Sequence, residues 1–135
     1  GMNIISAALA GSALPAAFLI KMLMTAATSG AGYKGGEIIP AMFIGACFGC
    51  TVAPLIGIDP AFGAEICLIA VFCGSVNCPV SSILLSVEFF GSGNLLLFGT
   101  ASAVSYMLSG YYSLYSAQKF MNSKTNPLPV RRSAK

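Results

Sequence analysis

The sequence predicts an all-α membrane protein built from short, broken and tilted helices. Composition is the first reason: 8% of the 135 residues are charged, 56% are hydrophobic and the mean hydropathy is +0.83, whereas an ordinary soluble domain has about 25% charged residues. Charge spacing is the second, since residues 38–58, 66–87 and 89–118 carry none. Each stretch could cross a hydrocarbon core, which takes about 20 residues of helix. Glycine and proline interrupt all three, which favours short helices over long spans.

Six helices are predicted, at residues 15–28, 38–52, 61–73, 79–90, 95–109 and 111–122. Apolar residues recur at helical spacing from Phe18 to Ala26, after Pro15, which indicates the first helix. Pro40 lies at the start of the second, because a proline in the first turn costs no hydrogen bond. Residues 2–14 are small and apolar and form either the end of one membrane helix or a loose lead-in.

Turn signals separate the later helices. Residues 54–60 form a turn at a membrane face, residues 74–79 (Gly-Ser-Val-Asn-Cys-Pro) break the third helix from the fourth, and residues 91–94 (Gly-Ser-Gly-Asn) precede the fifth. Within the second helix, Gly45 and Gly49 are four residues apart, a spacing that predicts close packing against another helix. Residues 1–123 are therefore predicted to be the transmembrane region.

The remaining residues, 124–135, are predicted to be a basic, disordered tail. Four of the seven Lys and Arg residues lie there, which indicates the cytoplasmic side and does not indicate a nucleic-acid partner. The chain has no histidine, and its four acidic residues are scattered without a neighbouring nucleophile. We therefore do not expect this protein to be an enzyme. Five cysteines in apolar surroundings, Cys47 and Cys50 among them, predict small buried side chains rather than a metal site or a cofactor.

The functional hypothesis depends on the loop at residues 29–37. Four glycines there loosen the backbone and let an ion come close. The helix that follows begins near Ile38, and its first N–H groups lack partners within the helix and carry the positive end of its dipole. Such a helix start is a ready site for an anion. The plain alternative is a soluble helix with an acidic residue, Glu37, in its first turn.

The same residues resemble a known family. Gly36-Glu37-Ile38-Ile39-Pro40 is similar to the Gly-x-Phe-x-Pro segment of CLC chloride channels and proton-coupled antiporters, and Lys-Gly-Gly-Glu-x-x-Pro looks like its fluoride/proton antiporter branch. Residues 70–91 resemble a CLC helix pair, and residues 113–117 (Ser-Leu-Tyr-Ser-Ala) resemble the Leu-Tyr-Ser segment of the last CLC membrane helix. The resemblance covers residues 15–123. It implies the second half of an inverted-repeat transporter, without the first repeat and its gating glutamate.

The resemblance implies a part of a multi-pass anion transporter of the cell membrane. Its anion ligands would be Gly36, Glu37, Ile38 and Ile39 at the helix start and the hydroxyl of Tyr115, and Glu37 would also take up the coupled proton. The partners would be fluoride or chloride, protons, the lipid bilayer, the missing N-terminal half and a second copy in a homodimer.

Three questions stay open at this point. Fluoride is favoured because it is a small, hard acceptor suited to N–H and O–H donors. A chloride channel or chloride/proton antiporter is the alternative within the family, and a non-conducting structural membrane protein is the alternative outside it. For Tyr115, the alternative to an anion ligand is an aromatic side chain at the membrane interface.

Overall fold

The chain folds into six helices followed by a small two-stranded ribbon. The structure is a computed structural model and describes residues 2–33, 35–115, 117–124 and 129–133. The helices are α1 (Met2–Leu9), α2 (Ala17–Gly30), α3 (Ile38–Ile56), α4 (Pro60–Val76), α5 (Pro79–Phe90) and α6 (Leu95–Leu108). The strands are β1 (Lys119–Asn122) and β2 (Pro129–Ser133), which pair antiparallel. The predicted all-α class is confirmed by the helical body.

Helices α3 and α4 form the centre of the fold and cross in direct backbone contact. Gly49 lies against the carbonyl of Gly63, and Gly45 lies against the carbonyl of Cys67. Helices α1 and α2 pack on α3, while α5 and α6 pack along α4. The buried side chains of this centre include Phe43, Ala46, Cys47, Cys50, Leu68, Ile69 and Phe98. The predicted packing role of Gly45 and Gly49 is thus confirmed, because small residues let two helix backbones approach each other.

The ends of α4 are defined by two polar side chains. At its start, the carboxylate of Asp59 accepts a hydrogen bond from the N–H of Phe62 at 3.2 Å, and Pro60 occupies the first helical position. This arrangement satisfies a backbone donor that the helix leaves free. At its end, Asn77 adopts a left-handed conformation with φ 59°, the only non-glycine residue with positive φ in the described part of the chain. Asparagine tolerates this conformation better than most residues.

We expect Asp59→Ala to lower the free energy of unfolding by about 1 kcal/mol, the usual loss for a removed N-cap. Asp59→Asn is the matched control, because it removes the same charge and keeps an oxygen that accepts from the N–H of Phe62. Thermal unfolding in detergent, followed by circular dichroism, measures both variants. Equal stability of the two variants would show that the cap contributes nothing.

Five predicted helices are found close to their predicted positions. The largest shift in this set is at α3, which continues through Ile56, four residues beyond the predicted end at Val52. Pro54 is inside this helix, so the turn predicted at residues 54–60 is wrong for residues 54–56. Helix α4 continues through Val76, three residues beyond its predicted end at Cys73. The lead-in at residues 2–14, which the sequence left open, begins as a helix of eight residues, Met2–Leu9. Gly11, with φ 82°, ends that short helix in a turn.

The predicted sixth helix at residues 111–122 is wrong. Its described part consists of turns, an irregular segment and the strand β1. The backbone groups that a helix would pair internally are bound by the end of α4 instead. The side chain of Asn77 donates to the carbonyls of Gly110 and Tyr112 at 3.0 and 2.8 Å, and the N–H of Leu114 donates to the carbonyl of Ser75 at 2.9 Å.

The ribbon of β1 and β2 also departs from the prediction. Lys119 pairs with Ser133 and Phe120 with Arg132, with an irregularity between Phe120 and Asn122. The expectation of a fold without strands is therefore wrong here, and part of the segment expected to be disordered, Pro129–Ser133, is a paired strand. The boundary at residue 123 and the cytoplasmic side of the tail stay predictions.

Large apolar side chains cover much of the outer surface. No residue of α2 is buried, and Leu23 is 68% exposed. On α6, Leu96 and Leu108 are each 82% exposed. Helix α3, with 19 residues and a mean hydropathy of 1.9, is the one described helix that is long and apolar enough to cross a membrane by length and composition. Such faces indicate burial in lipid or against other helices.

Candidate anion site

Helix α3 begins where the sequence predicts. Glu37 is its N-cap residue, with φ −83° and ψ −15°, and its side chain makes no capping hydrogen bond. The first helical bond runs from the N–H of Ala41 to the carbonyl of Glu37 at 3.1 Å. The N–H groups of Ile38 and Ile39 belong to the first turn, where a helix provides no acceptor, and Pro40 has no N–H. Two backbone donors and the positive end of the dipole therefore lie at this point.

A small cavity of about 190 Å³ opens beside the start of α3, between α2 and the glycine loop. Its lining residues are Lys21, Met24, Thr25, Thr28, Ser29, Tyr33, Gly35, Gly36, Glu37 and Pro40. The half-buried Glu37 accepts a long hydrogen bond of 3.5 Å at its Oε1 from the hydroxyl of Ser29. The cavity thus brings together a carboxylate, an ammonium and hydroxyl groups around a helix N-terminus.

The structure brings some of the predicted site residues together and leaves others apart. Gly36 and Glu37 line the cavity, whereas Ile38 and Ile39 follow them in the first turn without lining it. Tyr115 does not line it either: its side chain is 48% exposed, and its backbone N–H donates to the hydroxyl of Ser113 at 3.3 Å. The role of Tyr115 as an anion ligand stays a prediction. Lys34, the basic residue of the glycine loop, lies outside the described residues.

Sequence reasoning missed the polar face of α2. Lys21, Thr25 and Thr28 are spaced by four and three residues, which places them on one side of a helix, and Ser29 adjoins them. That face lines the cavity. The spacing was a usable signal, because a polar stripe in a membrane helix points toward protein or water rather than lipid.

The hydroxyl groups of two of these residues donate hydrogen bonds to backbone carbonyls of the same helix. Thr25 donates to the carbonyl of Lys21 at 2.7 Å, and Thr28 donates to the carbonyl of Met24 at 3.0 Å and to that of Thr25 at 2.9 Å. Such bonds to the preceding turn satisfy hydroxyl groups within an apolar helix. They also fix the position of the oxygen atoms along the cavity wall.

The donors around the cavity determine its chemistry. The ammonium of Lys21 and the positive end of the α3 dipole both favour an anion, and charge-assisted bonds are the strong ones. The hydroxyl groups of Thr25, Thr28 and Ser29 already donate to carbonyl or carboxylate oxygens. The carboxylate of Glu37 opposes an anion when ionised and donates a hydrogen bond when protonated. Among the described residues, no group of three or more histidine, cysteine, aspartate or glutamate side chains could hold a metal ion.

Comparisons with known proteins give the family. Residues 1–110 match the family described as Voltage gated chloride channel. A protein of Pseudomonas syringae pv. tomato (strain ATCC BAA-871 / DC3000), named chloride/fluoride channel protein, is 39% identical over 113 residues. That match covers 83% of this chain and 25% of the relative, so the chain spans about a quarter of the relative's length. No solved structure gives a significant match.

Short apolar helices, with a polar cavity between α2 and the start of α3, are typical of membrane proteins that build ion sites from broken helices. Within that class, the chain belongs to the voltage-gated chloride channel family, the CLC family that its motifs resemble. The family consists of anion channels and transporters. The family match ends at residue 110, so the segment that contains Tyr115 lies beyond it.

Proposed function

We propose that a complete protein containing this chain exchanges fluoride for protons across the cell membrane, and that the anion occupies the cavity at the start of α3. The observation that carries the proposal is the position of Glu37. Its carboxylate lines the same cavity as the glycine loop, at the N-terminus of a helix. An anion and a proton-binding group therefore share one small space.

Electrostatics explains why such a site would couple the two ions. An ionised carboxylate repels a halide beside it, and this repulsion is large where water is scarce. Protonation of Glu37 removes that repulsion and provides an O–H donor, so binding of the anion favours uptake of a proton. The converse also holds, because coupling between two ligands is reciprocal. The relative's name, chloride/fluoride channel protein, includes both halides, and we favour fluoride because strong donors suit a small, hard anion.

The proposed partners follow from the surface of the helices. The exposed apolar side chains of α2, α3 and α6 suit contact with lipid or with the N-terminal part of the transporter, which supports a multi-pass arrangement. We also propose a homodimer that forms through α5 and α6. Leu84 of α5 is 65% exposed and Leu96 of α6 is 82% exposed, and interfaces between membrane helices bury such faces.

The test uses a chimera in which the N-terminal part of the Pseudomonas relative precedes this chain, reconstituted in liposomes. We expect the parent to move fluoride against its gradient when a proton gradient is imposed. Glu37→Gln should abolish this proton-driven uptake, because the amide cannot exchange a proton. A fluoride electrode and a chloride electrode measure the two fluxes in parallel.

Glu88→Gln is the matched control. Glu88 is an exposed acid near the end of α5 and does not line the cavity, so its substitution should leave proton-driven uptake unchanged. Free passage of chloride, exclusion of fluoride and indifference to Glu37→Gln would together contradict the fluoride assignment and favour the chloride alternative. A chimera that inserts and folds but passes neither anion would favour a structural membrane protein.

A further inference from the structure

Lys21 is a charged residue in the middle of an apolar helix, and the proposed coupling between Glu37 and the anion does not use it. It is half-buried on α2. Its Nζ atom lies 5.5 Å from the centre of the buried Phe43 ring on α3, so the side chain lies between the two helices. A lysine in this setting is costly in lipid and marks a functional position by default.

The surroundings of Lys21 differ on its two sides. On one side is a cavity of about 510 Å³, whose other lining residues are all apolar: Ile4, Leu14, Pro15, Ala16, Ala17, Ile20, Met24 and Phe43. On the other side is the 190 Å³ cavity with Glu37 and the hydroxyl groups of α2. An ammonium finds no hydrogen-bond acceptor in an apolar lining, and burying it there without one is costly. The ammonium has a favourable contact with the Phe43 ring on the side of the larger cavity, and the side chains that could accept its hydrogen bonds line the smaller, polar cavity.

Lys21 and Glu37 line one cavity without contacting each other as an ion pair. Among the described residues, Lys21 makes no ion pair with a carboxylate within 4.0 Å. A small anion or water between the two groups would then interact with the ammonium directly. The positive charge offsets the repulsion that an ionised Glu37 exerts on that anion, and the offset does not require a proton.

We propose that Lys21 is a specificity-determining residue of the anion site, whose fixed positive charge draws a small monovalent anion into the cavity beside Glu37. This inference rests on the proposed function, because it assigns a role within the same site. The ammonium would repel a cation at the same position, so Lys21 also excludes cations. Arginine in its place would keep the charge, whereas methionine keeps the length of the side chain and removes the charge.

The experiment measures fluoride uptake by the same chimera at increasing fluoride concentration. Lys21→Met should raise the half-saturating concentration about tenfold to a hundredfold, the effect of removing one charge at short range in a partly desolvated site. Lys21→Arg should restore a value within a few fold of the parent. Lys119→Met removes the same charge from an exposed position on β1 and should match the parent.

The pattern of results separates this inference from the proposed function. An active parent whose half-saturating concentration is unchanged by Lys21→Met would overturn the role of Lys21 alone. Equal impairment of Lys21→Met and Lys21→Arg would also overturn it, since the charge would not be the property that matters. A folded parent without anion flux would overturn the proposed function, and the role of Lys21 with it.

Discussion

Replacing Gly49 with alanine is expected to separate α3 from α4 and to lower the free energy of unfolding by about 3 kcal/mol or more, the upper end for overpacked cores. A Cβ atom at this position would overlap the carbonyl oxygen of Gly63 and lie 2.7 Å from the Cβ atom of Cys67. The oxygen is part of the backbone and cannot rotate away. Relief therefore requires the two central helices to move apart, and such a movement disturbs the packing around Phe43 and Ile69.

Gly99→Ala is the matched control for this substitution. Gly99 lies inside α6, and an added Cβ there would meet no described atom within 4 Å. Alanine favours helix over glycine by about 0.5 to 1 kcal/mol, so this variant should be as stable as the parent or slightly more stable. Denaturant titration in detergent micelles, followed by circular dichroism, compares the two. Equal stability of Gly49→Ala and Gly99→Ala would show that the helices do not cross in backbone contact.

The parts of the fold that sequence predicted are those set by local signals. Pro40 after a glycine loop marks the start of α3, and Pro79 marks the start of α5. The spacing of Gly45 and Gly49 predicted a close helix contact, which the structure confirms. These features need no knowledge of distant residues, because proline and glycine act on their own backbone.

The parts that failed depend on contacts between residues far apart in the chain. Residues 111–122 were predicted to be helical, and they contain no proline or glycine that would have indicated otherwise. Asn77 instead donates to the carbonyl of Tyr112, 35 residues later in the chain, and to that of Gly110 just before the segment. The candidate site shows the same division: Gly36 and Glu37 were predicted from a motif, whereas Lys21 became a candidate once α2 was seen beside α3.

Asn77 is the residue whose loss should change the C-terminal segment most. It is 3% exposed, and besides its two bonds to carbonyls its Oδ1 accepts from the ammonium of Lys124 at 2.5 Å and from the hydroxyl of Ser109 at 3.4 Å. Lys124 also donates to the carbonyl of Tyr106 at 2.7 Å and lies 3.8 Å from the centre of its ring. Burial lowers the pKa of Lys124. One buried amide thus joins the end of α4, the end of α6 and the segment that follows.

Asn77→Ala should therefore release the segment from Tyr111 to Lys124 while the six helices remain. Two carbonyls and an ammonium lose a partner, and buried groups left unpaired cost about 1 to 3 kcal/mol each. Alanine is also less tolerant of a positive φ. We expect the local free energy of opening to fall by about 2 to 4 kcal/mol. Hydrogen exchange of amides in this segment measures it, because the N–H of Leu114 is bonded to Ser75 in the parent.

Two further variants at this position separate the backbone from the side chain. Glycine at position 77 accepts the positive φ freely but has no side-chain amide. The segment should therefore open nearly as readily in Asn77→Gly as in Asn77→Ala. Asn77→Asp keeps an acceptor for Lys124 and loses both N–H donors, so its opening should be intermediate. Asn94→Ala is the control, because Asn94 is exposed and its side chain makes no capping bond to α6. If exchange in the segment is as slow in Asn77→Gly as in Asn94→Ala, the amide of Asn77 does not hold this segment against α4.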